Sequence, residues 1–178
     1  LERGLVRTLH GDSFADDSTR VLRAVRYEQR LGFRIEDETL VQLQQAINRR
    51  YLDTISGDRV RHELERIFNE ERPDQALRRA DQLGALEGVH PSLSHPTGLR
   101  PQFGIAPGGD LGPLVYLGYL VYYLSPEEGE SVARRLNLPR FWAMVVRDAI
   151  QLRQIGARLA TPSLSPSQVW RLLNGIAP

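Results

Sequence analysis

The sequence predicts an all-α protein, an array of about eight helices. Three observations predict it. Proline and glycine divide the chain into helix-sized pieces. Apolar residues recur at i, i+3, i+4 and i+7 within those pieces. Alternating apolar and polar runs, the mark of half-buried strands, are missing beyond residue 14.

Residues 1–14 are short and mixed, and Leu5 to Leu9 has room for a short strand end. Asp17 precedes a helical stretch over 18–31 that stops at Gly32. A second helix runs over 36–50, with Leu40, Leu43 and Ile47 on one face. Ser56 is placed to cap a third, whose apolar stripe is Val60, Leu64, Ile67 and Phe68. Pro73 suits the first turn of a fourth, with Ala76, Leu77, Ala80 and Leu83 inward and Gly84 as its stop. Residues 98–113 hold five glycines and three prolines and form the best candidate for a linker. Residues 114–124 are apolar nearly all round, as in a buried helix. Ser125-Pro126-Glu127-Glu128 has the capping-box order, and Ser165-Pro166-Ser167-Gln168 repeats it before a last helix ending at Asn174-Gly175. Between them Pro139 opens a long helix carrying Phe141, Trp142, Val145, Ala149, Leu152 and Ile155 at helical spacing. Trp142 and Trp170 are expected in the core.

Composition narrows the function. The 178 residues contain no cysteine, which excludes disulfides and thiolate catalysis. Four histidines lack the spacing of a zinc site, so no metal ligands are assigned. The longest apolar run is too short for a bilayer span, no signal peptide is visible, and a cytoplasmic setting is expected. All 23 basic residues are arginine, yet the net charge is only +1. Residues 1–90 carry a charge of −2 and residues 91–178 a charge of +3, so any contact with nucleic acid must be local. The sequence begins at Leu1 without an initiator methionine, and a piece of a longer protein is expected.

The sharpest local feature runs from Asp16 to Arg26. On a helix, Arg20, Arg23, Arg26 and Arg30 fall within roughly a 120° arc, with Val21, Leu22 and Val25 turned the other way. Guanidinium groups beside a helix N-terminus suit an anionic ligand such as a triphosphate or an RNA backbone. Asp17 adds an acceptor for an amino group on a base edge. The same pattern also fits an N-cap aspartate and a solvated arginine face. Elsewhere, Pro107 to Gly112 is glycine-rich but lacks the ending of a phosphate loop. Tyr116, Tyr119, Tyr122 and Tyr123 suit core packing with hydroxyls at the rim, or base stacking. Arg134, Arg135, Arg140, Arg147, Arg153 and Arg158 form either a diffuse RNA-backbone surface or a solvated face.

The run Ser13-Phe14-Ala15-Asp16-Asp17-Ser18-Thr19-Arg20-Val21-Leu22-Arg23-Ala24-Val25-Arg26-Tyr27, with Gly4 to Arg7 before it and Leu31 to Ile35 after it, resembles the neck of the bacterial tRNA nucleotidyltransferase and poly(A) polymerase family. That family's motif reads, approximately, acidic-Asp-Pro-x-Arg-Ile-Leu-Arg-Ala-x-Arg-Phe. Ser56 to Leu64 is similar to its next motif, and Gly84 to Leu93 to its neck-to-body passage. The specific likeness covers residues 4–93; beyond them the match is to a helical body. Ser18 stands where the family usually has proline, and Asp16 where glutamate is more frequent.

The resemblance implies a division into 1–17, the end of a catalytic head; 18–93, a helical neck that binds nucleotide and RNA; 94–113, a linker; and 114–178, the body. It implies that Asp17 and Arg20 pair with the base of ATP, and of CTP in CCA-adding members, while Arg23 and Arg26 lie in the nucleotide pocket. Asp16 matches the acidic residue before the templating aspartate. Arg59 and Glu63 match a motif that braces the helix. The partner implied is the 3′ end of tRNA or another RNA. The Mg²⁺ cofactor would be held by the head, whose Asp-x-Asp motif has no counterpart here. The chain alone is then expected to be inactive. A non-catalytic helical RNA-binding or scaffold module of the same family is the alternative.

Overall fold

The computed structural model describes residues 4–94, 112–160 and 163–174. Among them are ten α-helices, eight of seven or more residues. The all-α expectation holds. The two further helices, α1 (Ser13–Asp16) and α6 (Ala85–Val89), are too short to show a period.

Strand β1 (Leu5–Val6) is the expected strand end, but it has a partner that the pattern did not reveal. Helix α2 (Arg20–Leu31) stops at Gly32, whose φ of 63° is the left-handed cap that glycine adopts without strain. The chain then turns back into β2 (Arg34–Ile35), parallel to β1 in the register Leu5 to Arg34 and Val6 to Ile35. Two residues are too few for alternation to appear in a sequence. This clip fixes Leu5 and Val6 beside the segment that leaves α2.

Helices α3 (Asp37–Asn48), α4 (Gly57–Phe68) and α5 (Pro73–Gln82) follow as expected. A 3-10 turn at Tyr51–Thr54 joins the first two of them, and a second at Pro91–Leu93 follows α6. The α4 stripe Val60, Leu64, Ile67 and Phe68 is fully inside, as are Ala76, Leu77 and Ala80 of α5. Ser56 occupies the start of α4 but makes no side-chain cap bond. Its backbone is extended there, and Arg59 and Val60 already bond to its carbonyl.

The second part holds α7 (Pro113–Val121), α8 (Pro126–Arg135), α9 (Arg140–Leu159) and α10 (Pro166–Leu173). Both predicted capping boxes are formed, with Ser125 accepting from Glu128 N and Ser165 from Gln168 N. The buried line of α9 is Val146 and Ile150, flanked by Trp142 and Ala149. Phe141 and Leu152 lie on another flank and are 58% and 40% exposed, contrary to the predicted stripe. Trp170 is not core either: it is 64% exposed on a short helix with no buried residue. Tyr116 packs inside, stacked on Phe68 of α4 at 6.4 Å, while Tyr123 lies at the rim. The glycine-rich motif over 107–111 and most of the predicted linker lie outside the described residues.

One hydrophobic core runs through both parts. At their junction Arg135 donates to the carbonyls of Leu52, at 2.7 Å, and Ile55, at 3.4 Å. Arg61 bonds the carbonyl of Asn137, whose amide in turn donates to Asp58 at 3.0 and 3.1 Å. No helix among the described residues is long and apolar enough to cross a membrane.

Candidate nucleotide-reading site on the second helix

The site grows from the entry into α2. Helix α1 ends at Asp17, whose backbone is extended, so the chain bends before α2 begins. The Asp17 side chain folds over that bend. Its Oδ1 accepts from Thr19 N at 3.1 Å and from Thr19 Oγ1 at 2.6 Å, which ties down the first turn. Across from α4, Arg59 Nη2 donates to the same oxygen at 2.9 Å. Ser18, at the family's proline position, is buried and donates from Oγ to the Tyr51 carbonyl at 2.9 Å. A hydroxyl thus anchors the turn to the 3-10 segment where proline would have restricted it through its ring.

Burial pushes the Asp17 carboxyl up. The Thr19 hydroxyl, the Thr19 N–H, Arg59 and Arg20 outweigh it and hold the carboxyl below its ordinary value. Asp17 is therefore an acceptor at neutral pH. Its Oδ2 carries no hydrogen bond among the described residues. The Arg20 backbone N–H donates to the Asp17 carbonyl at 3.1 Å, but its guanidinium does not bond the Asp17 carboxylate. Its Nη1 donates to Ser13 O at 2.8 Å and Ser13 Oγ at 2.6 Å. Nε and Nη2 remain as donors on the guanidinium.

The arginine arc does not form one open face. Arg23 is partly exposed, and its interaction with the Tyr27 hydroxyl one turn on raises the arginine's pKa and lowers the phenol's. Arg26 turns inward and is only 7% exposed. It donates to Glu70 at 2.9 Å, lies 3.9 Å from Glu63 and stacks on the Tyr27 ring at 4.6 Å. Glu63 of α4 and Glu70 just beyond that helix draw it inside, which a helical projection of α2 alone does not show. Arg30 is exposed at the edge of the same cluster, 3.8 Å from Glu70. Asp16 is exposed near His10. From α4, Glu63 reaches Arg26 of α2, and Arg59 reaches Asp17 at the entry into that helix.

Three participants were not singled out from the sequence. Tyr27 lies at i+4 from Arg23, a spacing that signals a pair. Thr19 and Ser13 carry no such signal, because the chain bends between α1 and α2. The acids present here do not fit a metal centre. Asp17 Oδ1 is filled by three donors, Asp16 is turned to solvent, and no group of three His, Asp or Glu among the described residues converges.

A family model described as the probable RNA and SrmB-binding site of polymerase A matches residues 32–95. The A-adding tRNA nucleotidyltransferase of Geobacter sulfurreducens is 36% identical over 140 residues, 72% of this chain and 16% of that protein. The chain belongs to the tRNA nucleotidyltransferase family. It matches the neck and body region of that family. The Multifunctional CCA protein of Alkalilimnicola ehrlichii is 30% identical over 173 residues, 96% of this chain and 37% of that protein. Among solved structures, a CCA-adding enzyme with ATP superposes with a TM-score of 0.76 at 28% identity, covering 99% of this chain and 44% of the enzyme. The Thermotoga maritima CCA-adding enzyme complexed with tRNA gives 0.75, also at 28% identity, over 99% of this chain and 45% of that one. The chain thus spans less than half the length of these nucleotidyltransferase relatives.

Proposed function

We propose that this chain is the neck and body of a template-independent RNA nucleotidyltransferase. The whole enzyme transfers nucleotidyl groups from ATP, and from CTP if it is CCA-adding, to the 3′ hydroxyl of tRNA and releases pyrophosphate. On this reading residues 1–17 close a catalytic head, 18–93 form the neck, 94–113 link it onward and 114–178 form the body. The metal chemistry, with Mg²⁺, belongs to the head. The setting is cytoplasmic.

The observation that carries the proposal is the bend that leads into α2 and the start of that helix. It presents an ionised Asp17, braced by Arg59 and Thr19, one turn from a partly engaged Arg20. Adenine and cytosine each show an amino donor beside a ring-nitrogen acceptor on the pairing edge. Oδ2 of Asp17 can accept from the amino group while Arg20 donates to the ring nitrogen. Guanine and uracil present the reverse order and leave both groups unpaired, a mismatch with a large penalty in a desolvated site. Arg23 supplies charge next to this pair, and Arg26 holds the helix against α4 and the segment that follows it.

The test is nucleotide incorporation by the whole enzyme carrying Asp17→Ala and Arg20→Ala together. Incorporation should fall by about two orders of magnitude or more, or lose its base choice, with tRNA still bound. Unchanged incorporation would refute the assignment of these two residues.

A further inference from the structure

Arg20 is held by a residue to which the base-reading role gives no part. Ser13 is 5% exposed and begins α1, next to Phe14 in the core. Its hydroxyl and its carbonyl both receive Arg20 Nη1, at 2.6 and 2.8 Å. The same carbonyl accepts the Asp17 N–H at 3.3 Å. One buried peptide therefore ties the backbone of Asp17 to the side chain of Arg20. Two charge-assisted bonds on a single nitrogen fix where the rest of the guanidinium can point.

We propose that Ser13 is a positioning residue that sets the reach of Arg20 and thereby the preference between ATP and CTP. This rests on the reading of Asp17 and Arg20 as the base-pairing groups. A purine and a pyrimidine offer the same donor-acceptor pair at different distances from the ribose. A free arginine follows either edge; one anchored at Nη1 favours the edge that its anchored position meets. Loss of the hydroxyl leaves the carbonyl bond in place, so Arg20 is loosened and not lost. The effect is therefore on discrimination more than on rate.

The experiment measures kcat/KM for ATP and for CTP on a tRNA substrate, using the whole enzyme. The variants are Ser13→Ala, Ser13→Cys, Arg20→Ala and Ser13→Ala combined with Arg20→Ala. Cysteine keeps the size of serine while offering only a weak acceptor, so it covers the case in which the alanine variant folds poorly. Either Ser13 variant should shift the ATP to CTP ratio by roughly five- to tenfold, less than the loss of a whole charge-assisted hydrogen bond because the carbonyl bond to Arg20 remains. Affinity for tRNA and the Tm should stay near wild type, and the shift should vanish once Arg20 is alanine. A ratio unchanged within about twofold in both Ser13 variants, while Arg20→Ala moves it, overturns the role of Ser13 and leaves the base-reading assignment standing. A Ser13 shift that persists without Arg20 also overturns it. A ratio indifferent to Arg20→Ala refutes the base-reading assignment and this inference with it.

Discussion

Residues 4–94, and residues 112–160 with 163–174, are both helical and share one core, but they are held by different means. The buried polar side chains among the described residues are Ser13, Ser18, Thr19, Arg26, Glu28, Thr39 and Glu63, and all lie in the first part. The second part buries apolar groups such as Leu117, Leu120, Val132, Val146 and Ile150. Its polar bonds are mostly at helix ends and at the junction. Apolar burial favours contact without direction, whereas charged hydrogen bonds fix rotation and register. The difference shows where orientation matters. Helix α2, which carries Arg20 just after Asp17, is bonded on its sides and at its start.

That contrast can be broken most severely at Glu28. This buried carboxylate accepts from Arg79 Nε at 2.6 Å, Arg79 Nη2 at 3.2 Å and Ile35 N at 3.1 Å, which joins α2 to α5 and β2. Glu28→Ala leaves a partly buried guanidinium and a buried N–H unpaired. Urea unfolding should report a loss of about 3–5 kcal/mol. Glu130→Ala, which removes an exposed pair with Arg134 at 3.6 Å, should change stability by less than about 0.5 kcal/mol. Equal losses would erase the distinction.

The junction is the next point of attack. Gly57 opens α4 with no room for a side chain, since a Cβ there runs into the carbonyl of Arg135. Gly57→Ala should cost about 1–3 kcal/mol, because backbone and not a flexible side chain must move. A neutral result in the same denaturation assay would mean that the two parts are not closely docked there. Within the second part, Ser125→Ala removes one bond of a capping box and should cost about 1 kcal/mol, readable as a lower Tm.

The smallest expected effect depends on pH. His90 Nδ1 accepts from Ser92 N at 3.1 Å, so the neutral ring carries its proton on Nε2, 3.0 Å from Ser131 Oγ across the junction. Burial, and then the charge of Arg135, lower its pKa, with Glu128 opposing. The unfolded chain takes up this proton near pH 6.5, and the folded chain does so only at lower pH. This contribution is therefore complete above about pH 6.5 and declines as pH falls toward the folded value. Comparing Tm at about pH 7.5 and 5.5 should show a decline that His90→Gln reduces. An equal decline in both proteins would place the titration elsewhere.

The sequence displayed the helices well because periodicity and capping are local. Val60 to Phe68, the stop at Gly32 and both capping boxes all depend on residues within a few positions of one another. It hid what depends on distant partners. Strand β2 exists because Leu5 and Val6 return to lie beside it. Trp170 looked internal because its helix has an apolar face, but nothing in the sequence says whether another element covers that face. At the candidate site, likeness to a known motif points to Asp17, Arg20 and Arg59, and the structure brings Arg59 onto Asp17. The inward turn of Arg26 toward Glu70, 44 residues away, and the grip of Ser13 on Arg20 were not legible in the sequence.

The central claim is that Asp17 and Arg20 choose the base while other surfaces hold the RNA. Equilibrium binding of ATP, CTP and tRNA to the whole enzyme, wild type against Arg20→Ala, tests it most directly. The account predicts that nucleotide affinity or base choice collapses while tRNA affinity persists. Identical nucleotide binding by the two proteins would contradict it and leave α2 as a structural helix alone.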